Sequence, residues 1–297
     1  MDATVNPAVR QGQGIFSRYR RVDTITKLTV IAATVIALIY ILLPIFWMLK
    51  SSFQTAAEIK QLPPKWIPDQ IRLDSYQDIN LLIPIWRYIF NSIYVSAAAA
   101  LLATLIGTSA AYVLSRFRFP GMTLILVTIL VTQLIPPITR VFPLYALIQD
   151  AGLLNTYTGL ILSYAGFSLP FSILLLKGYF ESSCPPEIEE AALVDGCSYI
   201  STFLRIILPI SLPGLAAVTI FTFLNAWNDF LWASLLLNSS EMKTIQVGIG
   251  DLTAEGGGTR YVSMFMAACV LATVPALIMF IFVQRWLVSG LTSGSVK

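Results

Sequence analysis

The sequence predicts an all-α integral membrane protein with six transmembrane helices, and three observations support this fold class. Of the 297 residues, 56% are hydrophobic and only 12% are charged, about half the share of roughly 25% found in ordinary globular domains. Six stretches of 21 to 28 residues contain no Asp, Glu, Lys or Arg. Each is long enough to cross a bilayer, because a membrane-spanning helix needs about 20 apolar residues. Buried helices of a large soluble protein would not account for six such runs.

The spans and their orientation follow from these runs and from the basic residues beside the first one. The N-terminal segment 1–27 carries five Lys or Arg residues, which places it in the cytoplasm by the positive-inside rule. Six crossings return the C-terminal tail 288–297 to the same side. The first apolar run has 22 residues, longer than the roughly 7–15 apolar residues of a cleaved signal peptide, so it is predicted to stay as a helix. The predicted transmembrane domain is 28–287, with spans 28–49, 88–115, 119–147, 156–176, 206–237 and 261–287.

Two features interrupt the regular pattern of spans. The long exterior connection 50–87 contains Pro63-Pro64 and is predicted to be ordered, irregular chain on the outer face. Inside the third span, Pro136-Pro137 removes two successive helix donors and must kink or break the helix. Broken helices at membrane depth are tolerated where they line a cavity or pack on protein. A packing kink and a part in a transport path both remain open.

Composition excludes several function classes. The chain has no histidine, so His-based triads and His-rich metal sites are excluded. Cys184, Cys197 and Cys269 show no CxxC spacing, and a net charge of +3 is too small to indicate a nucleic-acid partner. No phosphate-binding loop occurs, since the glycines at 256–258 lack the following Gly-Lys-Ser/Thr. The chain is predicted to hold no cofactor or metal, and any ATP it uses would be bound by another subunit.

The interior segment 177–205 differs in kind from the other loops. Pro185-Pro186 favours a helix start, and three acidic residues after it suit the positive end of a helix dipole. Gly196 is a natural left-handed terminator, and Ser198 can cap a second helix.

The first of these two helices has about ten residues, which is too short to be stable in water without tertiary support. It could rest on lipid headgroups or on the bundle, but an anionic leaflet would repel its acidic side chains. The loop is therefore predicted to dock on a basic protein cleft. The acidic residues at the start of its first helix are Glu187, Glu189 and Glu190.

This loop also resembles that of a known family. Glu190-Ala191-Ala192 is followed after three residues by Gly196, and after nine more by Ile206 and Leu208-Pro209. The spacing resembles the EAA loop of ABC importer permeases. Two further segments are similar to the maltose-type carbohydrate importers of that family, namely 225–232 in the fifth span and 284–292 after the sixth.

The resemblance implies a permease subunit of an ATP-driven, binding-protein-dependent importer that moves a sugar, either a di- or oligosaccharide or a related glycoside. The chain itself would not be an enzyme. It would lie in the cytoplasmic membrane of a prokaryote, in contact with lipid. Its implied partners are a homologous second permease, two ATPase subunits holding MgATP, and an extracytoplasmic binding protein that faces loop 238–260. Residues 187–200 would form the coupling helix. The implied ATPase-coupling residues are Glu187, Glu190, Ala191, Ala192, Asp195, Gly196 and Gly290.

Candidate residues for a solute path lie in the third, fourth and fifth spans. Sugars are bound by amides and carboxylates together with aromatic faces, and the fifth span supplies this mixture. Asp229 is the only acidic residue within the predicted spans, and an intramembrane charge is a functional candidate by default. The alternative is that this group lies near the outer interface, where Trp and Asn are common anchors. The candidates are Asn225, Asn228, Asp229 and Trp232, with Gln133 and Tyr164 on the neighbouring spans.

Two other transport functions remain open at this point. An importer of another solute, such as a polyamine or a phosphate ester, would share the EAA loop. An ion-driven carrier would usually need several intramembrane carboxylates, and Asp229 alone is a poor supply. A membrane enzyme is not indicated, since the sequence offers no nucleophile–base pair and no metal-ligand cluster.

Overall fold

The structure is a computed structural model that describes residues 24–255 and 261–293. The predictions for most of the basic N-terminal segment, for the glycines at 256–258 and for the tail after 293 lie outside those residues. Within them every regular element is helical. The α-helices are α1 (Thr24–Ser52), α2 (Ala56–Lys60), α3 (Asp74–Leu82), α4 (Ile85–Arg116), α5 (Met122–Leu134), α6 (Val141–Asp150), α7 (Tyr157–Ser183), α8 (Pro186–Val194), α9 (Tyr199–Ile210), α10 (Leu212–Trp227), α11 (Leu231–Leu236), α12 (Ile245–Glu255) and α13 (Val262–Ser293).

The number of membrane crossings in the described chain lies between four and six. Helices α1, α4, α7 and α13 are each long and apolar enough to cross by themselves. Two further candidates are bent pairs, in which α5 meets the segment ending with α6 at 104° and α9 meets α10 at 74°. The all-helical membrane fold is thus confirmed, and six spans require that each bent pair crosses once.

The third predicted span is broken where the two prolines stand. Helix α5 ends at Leu134, and a 3₁₀ turn at Pro137–Arg140 leads into α6. Successive prolines cannot donate to the preceding carbonyls. The Arg140 side chain compensates in part, because its Nη2 donates to the carbonyl of Ile135 at 3.0 Å. The predicted break is confirmed.

The fifth predicted span, 206–237, consists of three helical pieces instead of one. Ser211 separates α9 from α10, and Pro213 in the first turn of α10 lacks the N–H that would continue the helix across this point. A second interruption, from Asn228 to Phe230, separates α10 from α11. The sequence analysis predicted one continuous span here, although Asp229, the charge that ends the uncharged run, lies in this second break.

The core of the bundle is built on close contact between α4 and α7. Small buried residues recur every fourth position along α4: Ala99, Ala103, Gly107 and Ala111. Small side chains let membrane helices approach closely, because packing in lipid depends on van der Waals contact. A Cβ added at Gly107 would lie 2.9 Å from Cβ of Ser172 on α7, so this position excludes any side chain. Helix α10 packs against both α4 and α7.

We expect Gly107→Ala to destabilise the chain by about 1–3 kcal/mol, the usual cost of overpacking a tight core. Gly166→Ala on α7 is the matched control, because an added Cβ there meets nothing within 4 Å and alanine is the better helix former. Thermal denaturation of the two purified variants in the same detergent compares them. Equal stability would contradict the close contact.

The connection between α1 and α4 is ordered and includes two short helices, α2 and α3. The hydroxyls of Ser52 and Tyr76 lie 2.7 Å apart, and Arg72 N–H donates to the carbonyl of Phe53 at 3.2 Å. The Trp66 ring packs edge-on against Trp47 of α1, with centroids 5.7 Å apart. These contacts hold the irregular stretch against the end of α1.

Candidate functional site

Two regions contain the residues that the sequence singles out, and the first is the segment 177–205. Helix α8 begins with Pro186 at its first position, after Pro185 in an extended conformation. Glu187 and Glu189 occupy the first turn, where the helix dipole favours acidic groups. The predicted helix start is confirmed.

Helix α8 ends in a glycine-dependent reverse turn. Cys197 N–H donates to the carbonyl of Ala192, and Gly196 N–H donates to that of Leu193, both at 3.0 Å. This pair of bonds is the Schellman arrangement, which satisfies the last carbonyls of the helix. Gly196 adopts φ +88°, a left-handed conformation that glycine reaches without steric cost. The predicted terminator is confirmed.

A second helix, α9, follows at once. The Ser198 hydroxyl accepts a hydrogen bond from Ser201 N–H at 3.3 Å, as the sequence predicts. The turn Phe203–Ile207 is π-helical and ends two residues before Pro209. A single wide turn accommodates a break in the usual bonding pattern. Residues 187–200 therefore form one helix, a turn and the start of another, not one continuous helix.

The coupling candidates lie mostly on one accessible surface. Glu187, Glu190, Ala191, Asp195 and Gly196 are all exposed. Apolar side chains stand among them, with Val194 88% exposed and Ile200 72% exposed. We call this acidic and apolar surface the loop face. Ala192 is different, because it is 5% exposed and packs inside the chain, so its small size serves an internal contact.

Glu189 points the opposite way from the loop face, into the bundle. It accepts hydrogen bonds from Tyr112 Oη at 3.0 Å and from Arg116 Nε at 2.5 Å. The sequence indicated only its place in the first turn of α8. Its partners lie more than 70 residues away along the chain, so no local pattern could identify them.

Gly290 lies in the last turn of α13. Its backbone is helical, and the side chains around it are outside the described part of the structure. Its coupling role stays a prediction.

The second region is a cavity of about 240 Å³ beside the break in the third span. It lies between the 3₁₀ turn after α5, the middle of α7 and the junction of α10 with α11. The lining residues are Pro137, Arg140, Tyr164, Phe167, Ser168, Asn225, Ala226, Asp229 and Trp232.

Asp229 lines this cavity and accepts three hydrogen bonds there. Its Oδ2 accepts hydrogen bonds from Tyr164 Oη at 2.7 Å, Trp232 N–H at 3.0 Å and Ala233 N–H at 3.1 Å. The two backbone donors belong to the first turn of α11, whose N–H groups have no partner within the helix. The carboxylate thus caps α11 and ties it to α7. Among the described residues, no donor reaches its other oxygen, Oδ1.

Aromatic and cationic groups also line the cavity. The rings of Phe167 and Trp232 pack with centroids 4.7 Å apart. The guanidinium of Arg140 lies over the Phe167 ring at 5.3 Å, within the range of a cation–π interaction. Its Nε is shielded from solvent and has no hydrogen-bond partner in the described structure.

The cavity brings together four of the six predicted path residues: Asn225, Asp229, Trp232 and Tyr164. Asn228 is exposed at the end of α10, and Gln133 is exposed on α5; neither lines the cavity. The sequence did not single out Arg140, Phe167 or Ser168. Arg140 carried one usable signal, since it is the first charge after the proline pair.

Comparison with known proteins agrees with this architecture. Residues 103–293 match the family described as binding-protein-dependent transport system inner membrane component. The diacetylchitobiose uptake system permease protein DasC of Streptomyces coelicolor is 33% identical over 263 residues, which cover 89% of this chain and 94% of DasC. The trehalose/maltose transport system permease protein MalG of Thermococcus litoralis is 34% identical, over 93% of this chain and 99% of that protein. The inner membrane ABC transporter permease protein YcjP of Escherichia coli is 35% identical, over 92% and 98%.

Solved structures show the same fold. A chain of a bacterial ABC transporter involved in the import of the acidic polysaccharide alginate superposes with a TM-score of 0.79 at 23% identity, covering 91% of this chain and 99% of that one. The EAA spacing, the apolar helices and the match over 103–293 point the same way. The chain therefore belongs to the binding-protein-dependent transport system inner membrane components, and it is a multi-pass permease subunit of an ABC importer.

Proposed function

We propose that this chain is one permease half of a sugar importer with six spans and both termini in the cytoplasm. A homologous second permease, two ATPase subunits that bind MgATP and an extracytoplasmic binding protein complete the assembly. Similarity to permeases named for diacetylchitobiose and for trehalose and maltose supports a carbohydrate. The expected solute is a di- or oligosaccharide or a related glycoside.

The cavity around Asp229 is the observation that carries this proposal. A sugar hydroxyl both donates and accepts, and the wall offers both partners. Asp229 Oδ1 is a free acceptor, and the side chains of Arg140 and Asn225, which line the cavity, supply donors. The Trp232 and Phe167 rings give an apolar surface for the sugar ring. At about 240 Å³ the cavity is smaller than the roughly 300–1,000 Å³ of complete ligand sites, in keeping with a site that the second permease completes.

The loop face is the proposed contact with the ATPase. Its acidic side chains suit a basic cleft, while Val194 and Ile200 offer apolar area that water would otherwise cover. ATP binding closes the ATPase dimer, and the docked loop converts this closure into movement of the permease halves. Such alternating access is rigid-body motion and needs no covalent chemistry in this chain.

Affinity purification of the tagged chain from its native cells in mild detergent, followed by mass spectrometry, tests the assembly. Recovery of an ATPase, a second permease and a binding protein is expected. Uptake of radiolabelled trehalose, maltose and diacetylchitobiose into proteoliposomes loaded with ATP then tests the solute class. A binding protein that ignores sugars would favour the polyamine or phosphate-ester reading. Transport that needs an ion gradient and no ATP would contradict the proposal.

We expect Asn225→Ala to lower sugar uptake by roughly 2- to 10-fold, which corresponds to one lost hydrogen bond of about 0.5–1.5 kcal/mol. Asn228→Ala is the matched control, since this amide is three residues away and does not line the cavity. Initial uptake rates at equal amounts of inserted protein compare the two variants. A larger effect at Asn228 would place the solute path outside this cavity.

An ion-driven carrier is the weaker alternative. The one acidic residue of the predicted spans, Asp229, already accepts three hydrogen bonds through Oδ2. A carboxylate engaged in capping a helix is a poor site for reversible ion binding.

A further inference from the structure

We infer that the Glu189–Arg116 ion pair is the link through which the docked loop moves the membrane helices. Both are positioning residues, since neither belongs to the loop face or to the cavity. The inference rests on the proposed ATPase contact and adds the route by which movement of α8 reaches the bundle.

Arg116 stands where three helices meet. It is the last residue of α4, and its Nε donates to Glu189 of α8 at 2.5 Å. Its Nη2 donates to the carbonyls of Cys184 at 2.5 Å and Phe180 at 3.4 Å. These two carbonyls belong to the end of α7, where a cation also satisfies the helix dipole. One guanidinium therefore joins the loop helix to α4 and α7 together.

Glu189 is held at both oxygens. Arg116 contacts Oε1, and Tyr112, one turn earlier on α4, donates to Oε2 at 3.0 Å. Two bonds to different atoms of one carboxylate fix its orientation as well as its distance. A displacement of α8 caused by the docked ATPase would therefore move α4 with it, because the Glu189 carboxylate cannot turn relative to α4.

Burial distinguishes this pair from the other ion pairs among the described residues. The two side chains are 10% and 9% exposed, whereas every other described pair has at least one partner that is 32% exposed or more. Surface pairs contribute little, but removing one partner of a buried pair leaves an uncompensated charge. The link is therefore stiff as well as specific.

A second route for the force passes through α9, whose Phe203 ring packs on Tyr112 of α4 with centroids 4.5 Å apart. Helix α8 packs mainly against α9, the next helix in the chain, and its other side carries the exposed loop face. The chain connection before α8 passes through Cys184, whose carbonyl Arg116 already holds. Among the described residues, the Glu189–Arg116 pair is the one ion pair that joins α8 directly to a helix that precedes it.

The test uses the complete complex in nanodiscs, with ATP hydrolysis measured with and without the binding protein. We expect Glu189→Gln to retain the co-purifying ATPase but to lower the stimulation of hydrolysis by the binding protein by at least about 5-fold, the lower end of typical coupling between sites. Glu181→Gln is the matched control. Glu181 forms an ion pair with Lys177 near the end of α7, but its side chain is 48% exposed. We therefore expect the stimulation of hydrolysis to stay at the wild-type value.

A charge exchange separates linkage from mere stability. The single variant Arg116→Glu should lose stimulation, and the double variant Arg116→Glu with Glu189→Arg should recover part of it. Should Glu189→Gln fail to accumulate, Tyr112→Phe takes its place in the test, because it removes one hydrogen bond to Glu189 and keeps the ion pair. We expect it to lower the stimulation of ATP hydrolysis by at least about twofold.

Each contrary outcome has a distinct meaning. Wild-type stimulation in Glu189→Gln, or in Tyr112→Phe if it has to stand in, would overturn the inference. So would loss of the ATPase from an otherwise assembled Glu189→Gln complex, because Glu189 would then belong to the docking contact. A wild-type chain that never binds an ATPase would defeat the proposed function itself.

Discussion

Replacing Gly196 with valine is expected to lower uptake by roughly 5- to 30-fold while the amount of chain in the membrane stays the same. Gly196 sits at φ +88°, and a left-handed residue with a side chain costs about 1–2 kcal/mol, or roughly 5- to 30-fold in population. No neighbour lies within 4 Å of an added Cβ, so the penalty is conformational and not a clash. The turn that presents the loop face would be lost from most molecules.

Gly196→Asn is the control at the same site, because asparagine tolerates the left-handed region better than other residues with side chains. Quantitative immunoblots of membranes and initial uptake rates give the two readouts. Uptake by the valine variant equal to that of the asparagine variant would show that the turn has no part in coupling.

Replacing Asp229 with alanine is expected to reduce the free energy of unfolding by roughly 1.5–5 kcal/mol and to abolish uptake. The loss of a helix cap costs about 0.5–2 kcal/mol. The buried Tyr164 hydroxyl, which is left without its acceptor, adds about 1–3 kcal/mol. Loss of uptake follows separately, because Trp232 and Asn225 line the same cavity and their positions depend on this junction.

Two milder variants separate the roles of the carboxylate. Tyr164→Phe removes one hydrogen bond and keeps the cap, so a loss of only about 1 kcal/mol is expected. Asp229→Asn keeps an acceptor for α11 and removes the charge. Thermal denaturation in detergent, paired with uptake in proteoliposomes, measures both effects. An alanine variant as stable as wild type would contradict the capping geometry.

The sequence was informative wherever the structure depends on local chemistry. Gly196 and Ser198 are a terminator and a cap because of residue type and spacing alone, and the break at Pro136-Pro137 follows from missing donors. The size of the bend, 104°, depends on what α6 packs against and could not be predicted. The features that sequence analysis could predict were therefore those set by neighbouring residues, such as a helix cap, a helix terminator and a proline break.

Features that join distant segments were not accessible in this way. Asn225 and Asn228 stand on one uncharged run, yet α10 ends between them, so helical spacing could not tell which amide faces the cavity. Arg140 was not singled out by the sequence, although its guanidinium lies over the ring of Phe167 on α7. The partner of Glu189 is fixed only by the packing of α4 beside α7. These contacts depend on tertiary structure, which no single segment specifies.

The tight seam between α4 and α7 has a consequence for how the molecule fluctuates. Two helices whose backbones approach at Gly107 cannot rotate against each other without opening a void along their whole length. Their amides should therefore exchange with solvent deuterium only through rare, large openings. The bends at 104° and 74° are made of short pieces with proline-interrupted bonding, and their openings can be local and frequent. Slowly exchanging amides would then mark α4 and α7 as the rigid part of the chain, and rapidly exchanging amides would mark the two bends. The bends are where the permease can change conformation during a transport cycle.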